Sequence, residues 1–263
     1  MINDLLSYER RYLRTRTGKL LFGPVGKRLF VDYLDRLPGF VGRIDFIHKL
    51  NITALFEVKC DKPIQWETAT TCWYPNMLTM DLQNNSMTFS EVKLIAKNDC
   101  AVSCQTWHNK GSTPMTLTLH TKAELCESSF DKQMGCYIVR TPMTVHGFSC
   151  GFAVKSDILT DSPLVIQPGE KVSFTVCAAV GNLATEEMAE IIEKATSFFC
   201  KDSGSDSGQF YVKRHNDEYE EFFKNAPSFK AGFFILQKLP NTSAACRSAL
   251  LEHRLAVQGC GRF

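Results

Sequence analysis

Between residues 52 and 179 the chain alternates apolar with polar positions in short segments that are separated by turn residues. Met115–His120 and Val172–Cys177 show the pattern well, because every second side chain is apolar. This period is typical of strands with one buried and one solvated face. Parallel strands would need crossover helices, and the pattern indicates none in this stretch. It therefore predicts a mainly β fold, a large antiparallel β-sandwich.

Short turns join the predicted strands. Asn84-Asn85-Ser86 predicts a tight hairpin because asparagine tolerates positive φ, and a second reversal is expected at Asn98-Asp99. The predicted strands are Arg43–His48, Ile52–Cys60, Ile64–Trp73, Met77–Gln83, Met87–Ala96, Cys100–Trp107, Met115–Lys122, Gly135–Arg140, Val145–Lys155, Leu164–Ile166 and Val172–Ala179.

One amphipathic helix is predicted after the strands, from Thr185 to Phe199. Thr185 suits the N-cap position, and the glutamates that follow place negative charge in the first turn, where the helix dipole favours it. A stripe of apolar residues recurs at helical spacing and needs a partner surface. This predicted packing surface consists of Met188, Ile191, Ile192, Ala195 and Phe199.

Four regions follow from these patterns. Residues 1–41 form a leading segment with a short helix from Leu5 to Leu13, and residues 42–180 form the sandwich. Residues 181–230 hold the amphipathic helix, a flexible linker at Lys201–Gly208 and a further helix that begins at Tyr219–Phe223. Residues 231–263 form an irregular, poorly patterned tail, which we interpret as the truncated or altered start of a missing catalytic domain.

Composition narrows the classes of partner. The chain has 263 residues, 44% of them hydrophobic, which is enough for one main domain with a substantial core. The 30 Lys and Arg residues nearly balance the 28 Asp and Glu residues, so neither nucleic acid nor an anionic membrane is expected as a partner. No apolar run is long enough to span a bilayer, and the acidic Asp4 is unlike a signal peptide, so the expected location is cytoplasmic.

Eleven cysteines are scattered along the chain without zinc-type spacing. Cys100 and Cys104 lie an even number of positions apart, so in a strand both side chains point to the same face. We interpret the cysteines as structural thiols, and no metal or cofactor is expected.

The sequence offers no convincing catalytic residues. His146 and Cys150 are four positions apart in a predicted strand, which separates them by about 13 Å, too far for proton transfer. Glycosidases need two carboxylates across the scissile bond. The acidic residues of the predicted strands were instead expected on solvated faces: Glu57, Glu67, Asp81 and Glu91.

Three aromatic residues are candidates for sugar contact. Trp66, Trp73 and Tyr74 cluster around one predicted strand and the turn after it. Flat aromatic rings stack on sugars as readily as they fill a core or an interdomain surface, so both interpretations stay open.

The order of several segments resembles the N-terminal β-supersandwich domain of bacterial-type glycoside hydrolases with an (α/α)6 catalytic barrel. That group includes trehalase-like, mannosyl-oligosaccharide-glucosidase-like and glycogen-debranching-like enzymes. The segments that carry the resemblance are Gly42–Asp45, Trp73–Pro75, Glu91–Ala96, Asn98–Ser103, Asn109–Leu119, Gln167–Glu170, Thr185–Phe199 and Asn225–Phe229. From Gly232 the chain departs from the pattern.

The resemblance implies a non-catalytic N-terminal sandwich domain of a carbohydrate-active glycoside hydrolase. Such a domain packs on the catalytic barrel and shapes one wall of the sugar cleft, and since the barrel carries the catalytic acid and base, this chain alone is expected to be inactive. One alternative is a free-standing module that binds an oligosaccharide through Trp66, Trp73 or Tyr74. Another is a scaffold or assembly protein that self-associates through the helix stripe around Ile191 and Ile192.

Overall fold

The computed structural model describes residues 10–11, 28–31, 37–46, 52–73, 77–96, 98–121, 127–142, 149–199 and 207–225. By contacts the chain divides into two units, Met1–Glu221 and Phe222–Phe263, and the sandwich belongs to the first. No helix among the described residues has both the length and the apolar character needed to cross a membrane.

Fourteen strands and two helices make up the described fold. The strands are β1 Arg10–Arg11, β2 Leu29–Val31, β3 Gly39–Phe46, β4 Ile52–Cys60, β5 Thr68–Trp73, β6 Met77–Gln83, β7 Met87–Ala96, β8 Cys100–Asn109, β9 Met115–His120, β10 Glu127–Asp131, β11 Cys136–Arg140, β12 Cys150–Ser156, β13 Leu164–Ile166 and β14 Lys171–Asn182. The helices are α1 Met188–Ser197 and α2 Ser207–Asn225.

The strands form two antiparallel sheets, which confirms the predicted sandwich. The large sheet has nine strands in the order β1-β5-β6-β7-β8-β14-β12-β11-β10, and the small sheet has five in the order β13-β9-β4-β3-β2. Apolar side chains from the inner faces of both sheets form the main core, in which Trp107, Phe40 and Phe56 are among the largest fully buried residues.

The two predicted reversals are present, but they work differently. At Asn84 the side-chain Oδ1 accepts hydrogen bonds from the backbone N–H groups of Ser86 and Met87, each at 2.9 Å, so the side chain closes the hairpin. Positive φ is not used there: among described residues other than glycine it occurs at Asp99 alone, with φ 60° in the β7–β8 turn. The expected reversal at Asn84-Asn85 is therefore correct, and its expected backbone conformation is wrong.

Helix α1 begins later than predicted. Its N-cap is Glu187 instead of Thr185, because the backbone N–H groups of Thr185 and Glu186 both bond to the carbonyl of Asn182 in a turn that precedes the helix. The Glu190 carboxylate accepts a 3.4 Å bond from the Glu187 N–H, as in a capping box.

A second apolar cluster lies on the outer face of the large sheet, beneath α1. It joins Ile191 and Ala195 to side chains of β7, β8, β12 and β14, and Val212 of α2 packs at its margin. Two glycines that face each other across β12 and β14, Gly151 and Gly181, allow the helix to approach closely. A Cβ at Gly181 would lie 2.6 Å from Ile191, and one at Gly151 would collide with Met188.

Both ends of the described chain depart from the sequence prediction. Arg10–Arg11 pairs with β5 as a strand, within the stretch where a helix from Leu5 to Leu13 was expected. The helix α2 begins at Ser207, inside the stretch Lys201–Gly208 where a linker was expected. It runs through Tyr219, where the helix was expected to start. The tail of residues 231–263 lies outside the described residues.

Candidate functional site

Of the predicted aromatic cluster, only the Trp66 side chain lies among the described side chains. Trp66 is half-buried and packs against the core, with its ring 6.1 Å from that of Phe89 and 6.5 Å from that of Trp107. The backbone of Trp73 ends β5, while its side chain and all of Tyr74 lie outside the description. The three-ring cluster therefore falls largely outside the described side chains and stays a prediction.

The predicted helix stripe faces the large sheet. Met188, Ile191, Ile192 and Phe199 all belong to, or pack against, the apolar cluster beneath α1. Ile191 is fully buried, whereas Met188, Ile192 and Phe199 are partly buried.

An ionic network fastens the start of α1 to the rest of the sandwich. Arg28 donates through Nε to Asp99 Oδ2 at 2.7 Å and through a terminal nitrogen to Glu186 Oε2 at 3.1 Å, and Lys194 also binds Glu186. Burial alone would raise the pKa of Glu186, but the hydrogen bonds from Lys194 and Arg28 lower it to about 2. Arg28 also stacks over the Phe46 ring, 5.1 Å from its centroid.

The inner face of β7 carries a buried acid, which corrects the expectation that Glu91 is solvated. The Glu91 side chain has no exposed surface. Its Oε1 accepts hydrogen bonds from Ser103 Oγ at 2.6 Å, from the Gly39 N–H at 2.9 Å and from a neighbouring glutamine amide at 3.2 Å. Glu57 is half-buried, and Glu67 and Asp81 are exposed.

Lys93 is the counter-ion of Glu91. Its Nζ lies 3.3 Å from Glu91 Oε2 and donates to the Leu37 carbonyl at 3.0 Å. Burial raises the pKa of Glu91 and lowers that of Lys93, while the opposite charge of each partner offsets part of the shift. Desolvation is the larger effect for both groups, so the pair is held by its surroundings at an electrostatic cost.

The network reaches the indole of Trp107. Its Nε1–H donates to Gln105 Oε1 at 2.9 Å, and Gln105 Nε2 in turn donates to Glu91 Oε1 and to Ser103 Oγ. Glu91 and Gln105 are direct partners across β7 and β8. The buried acid is thus fixed by interactions within the core and faces neither of the two depressions described below.

A polar surface covers the part of the large sheet's outer face away from α1. Two adjacent rows of side chains cross five neighbouring strands, β5, β6, β7, β8 and β14, and none of the ten is buried. We call this surface the hydroxyl face. Its first row is Thr70, Asp81, Ser90, Thr106 and Ser173, and its second is Thr68, Gln83, Thr88, His108 and Lys171.

The hydroxyl face contains a shallow depression of about 340 Å³, in which Asp81 is the only carboxylate among the described lining residues. Asp81 is exposed, but partial burial of its carboxylate raises its pKa, and no ion pair or hydrogen bond from a described residue counters the shift. The alternation of Thr, Ser and Gln with apolar residues in β5, β6 and β7 is the sequence signal for this surface, although the alternation alone predicts strands and not a site.

A second depression, of about 310 Å³, lies between the segment that leads into β5 and the turn that joins β6 to β7, and Glu67 and Asn85 are among its lining residues. Nearby, the Asn109 side chain joins two loops, donating to the carbonyls of Thr113 at 2.9 Å and Ile166 at 3.0 Å. Its Oδ1 also accepts from the Gly111 N–H at 3.0 Å.

Each depression contains one carboxylate among its described lining residues, that of Asp81 in the first and that of Glu67 in the second.

Among the residues that the structure describes, no three His, Cys, Asp or Glu side chains converge as metal ligands. Six described cysteines are free thiols, and of these Cys100 and Cys177 are fully buried beneath α1. Burial raises the pKa of Cys177 well above its usual value, and the neighbouring thiol of Cys100 adds to the shift, so Cys177 stays protonated.

No family of known proteins and no curated protein matches this sequence. Solved structures do match the fold at low similarity. One is named "Putative kojibiose phosphorylase from human microbiome": it is 10% identical, with a TM-score of 0.48 over 74% of this chain and 32% of that protein. Another, a mutant of the heparan sulfate lyase HepC from Pedobacter heparinus, is 11% identical, with a TM-score of 0.25 over 49% of this chain and 22% of that protein. This chain therefore spans about a third of the length of the first structure and less of the second. At these scores neither likeness bears on its function.

Proposed function

We propose that this chain is the non-catalytic sandwich domain of a carbohydrate-active glycoside hydrolase, which packs on a catalytic helical barrel and shapes one wall of its sugar cleft. Three of the segments that resemble such domains support the proposal, because they lie at junctions between strands of the sandwich. Asn98-Asp99 lies at the β7–β8 turn, Asn109–Pro114 joins β8 to β9, and Gln167–Glu170 leads into β14.

The observation that carries the non-catalytic role is the bonding of the buried Glu91 carboxylate within the core. Glycoside hydrolysis needs one protonated and one ionised carboxylate that both reach the scissile bond. Glu91 is the buried acid whose raised pKa would suit a proton donor, yet its oxygens are bound to Ser103, Gly39 and Lys93 inside the core. The acids of the two depressions, Glu67 and Asp81, each stand alone among the described lining residues.

Turnover measurements test this role directly. The purified chain should release no sugar or nitrophenol above the buffer blank from trehalose or from p-nitrophenyl α-glucoside and α-mannoside. Asp81→Asn and Glu67→Gln serve as matched variants, because each removes the charge of one depression. Hydrolysis by the native chain that either variant abolishes would overturn the proposal.

The sequence downstream of Phe263 in the gene tests the partner. An in-frame stretch with the apolar periodicity of a helical barrel would support a domain that works beside a catalytic barrel. An in-frame continuation into an unrelated fold would contradict it. Tryptophan fluorescence distinguishes this domain from a module that binds sugar through an aromatic platform. A structural sandwich should show no saturable change in fluorescence on titration with trehalose, whereas an aromatic platform should.

A further inference from the structure

We propose that the hydroxyl face is a binding surface for a neutral oligosaccharide. The proposal stands whether or not the chain works beside a barrel. The proposal begins from the geometry of the face. Ten polar side chains are held in register by five hydrogen-bonded strands. Four strand spacings of about 4.8 Å give each row a length of about 19 Å, enough for several sugar rings side by side.

The chemistry of the face fits a polyhydroxylated ligand. Hydroxyl and amide groups donate and accept at once, as sugar hydroxyls do, and such groups dominate both rows. Asp81 adds a carboxylate, an acceptor that forms strong hydrogen bonds with sugar hydroxyls. Asp81 and Lys171 are the two fully charged groups of the face, so their charges balance and neither an anionic nor a cationic ligand is favoured.

The side chains of the face have bonding capacity to spare. Within the described part of the chain, Thr106 and Ser173 bond to each other at 2.9 Å, and the structure gives no such bond for Asp81, Ser90 or Thr88. Asp81 lines the depression, and no described residue donates to its carboxylate, although partial burial of this otherwise exposed residue raises its pKa. A ligand hydroxyl would supply that donor.

The outer face of the small sheet provides a contrast within the same protein. There Glu57 and Lys59 form an ion pair at 3.4 Å, and Thr118 bonds to His120 at 2.8 Å. Neighbouring side chains satisfy one another on that face, as expected of a surface that only meets water. The hydroxyl face has few charges and few internal bonds, which distinguishes it from an ordinary solvated strand surface.

Calorimetry and amide chemical-shift mapping on the full chain test the proposal. The probes are maltoheptaose, cellohexaose and mannohexaose, with a heparin hexasaccharide as the anionic comparison. We expect saturable binding of at least one neutral probe at millimolar concentrations, with shifts concentrated in β5, β6, β7 and β8. Asp81→Ala should weaken that binding about tenfold, and Asp81→Asn should weaken it less because the amide keeps an acceptor.

Thr116→Ala is the control, since Thr116 lies on the outer face of the small sheet, and it should leave the affinity unchanged. Thermal unfolding checks that each variant is folded. The proposal is overturned if no neutral probe binds, if the shifts map elsewhere, or if heparin binds more tightly. It is equally overturned if the face mediates self-association, seen as concentration-dependent sedimentation that Ser90→Arg abolishes. Turnover plays no part in these readouts, so failure here is distinct from failure of the proposed function.

Discussion

The buried ion pair of β7 leads to the sharpest stability prediction. We expect Lys93→Met to destabilise the fold by about 3–5 kcal/mol, because the Glu91 carboxylate is then buried without its counter-ion. Glu91→Gln should lower the free energy of unfolding by about 3 kcal/mol, because the Lys93 ammonium is then buried without its counter-ion. Neither loss reflects packing volume, since methionine and glutamine nearly match the side chains that they replace.

The double variant Glu91→Gln, Lys93→Met decides the matter. A glutamine Oε1 still accepts from the Gly39 N–H and from Ser103 Oγ, so the donors that the structure shows around Glu91 keep an acceptor. Both charges are absent from the double variant, and so is the cost of desolvating them, which raises the pKa of Glu91 and lowers that of Lys93 in the native chain. We expect a loss of about 1–2 kcal/mol, so the two single losses should exceed the double loss by at least about 3 kcal/mol.

The pH dependence follows from the direction of the Glu91 shift. A carboxyl whose pKa is higher in the folded than in the unfolded state binds its proton more tightly when folded, so lowering the pH relieves its cost. In Lys93→Met this relief should be larger than in the native chain. The destabilisation of the variant relative to the native chain should therefore shrink as the pH falls towards 4.5, the ordinary pKa of a glutamate.

Urea unfolding followed by tryptophan fluorescence measures these free energies. The matched control is the pair Glu57 and Lys59, which has the same spacing of two residues in β4 and is partly exposed at 44% for the Lys59 side chain. Lys59→Met should cost less than about 1 kcal/mol. The reasoning is refuted if Lys93→Met costs no more than Lys59→Met, or if the single losses at Glu91 and Lys93 simply add.

Three further predictions concern the helix and the loops. In the native chain Glu186, with a pKa of about 2, stabilises the fold above its unfolded pKa of 4.5 and loses that effect as the pH falls towards 2. Glu186→Gln should therefore lower the free energy of unfolding above pH 4.5 by about 2 kcal/mol, a figure that allows for partial exposure. Between pH 4.5 and pH 2 the urea midpoint of the variant should change less than that of the native chain. Gly181→Ala should cost about 1–3 kcal/mol in thermal or urea unfolding by overpacking Ile191, and Ile191→Ala should cost less in that background than in the native chain. Asn109→Ala should cost about 2 kcal/mol in urea unfolding and speed amide exchange in both loops that it joins, whereas unchanged exchange would contradict its role.

The strand pattern was sufficient to predict the sandwich. The alternation of apolar and polar residues in β7 also places Glu91 on the buried face. Met87, Phe89 and Ile95 are buried on one face of β7, and Glu91 shares their parity. The expectation that Glu91 lies opposite the apolar face of its strand is therefore wrong. The alternation prevailed because Ser103 and Lys93 satisfy the acid within the core.

Other features depend on contacts that a sequence pattern does not contain. The late start of α1 follows from the turn at Asn182, and the close helix approach follows from Gly151 and Gly181, which become neighbours only when β12 and β14 pair. The hydroxyl face likewise exists only after five strands pair in register. Alternation predicts that Thr70 and Ser90 face outward, but pairing order decides that they lie in one row.

The buried network and the hydroxyl face are two sides of the same pair of strands. Glu91 and Gln105 pair on the inner side of β7 and β8, and the adjacent pair, Ser90 and Thr106, lies in the centre of the first row of the face. Because the Glu91 carboxylate is bonded to Ser103 and Gln105 of β8, the register of the two strands is fixed from within the core. A ligand that spans several strands meets hydroxyls whose spacing is already set, and less ordering then opposes binding. The Glu91 carboxylate thus has a role beyond its ion pair, because its hydrogen bonds to Ser103 and Gln105 hold β7 and β8 in the register that carries the face.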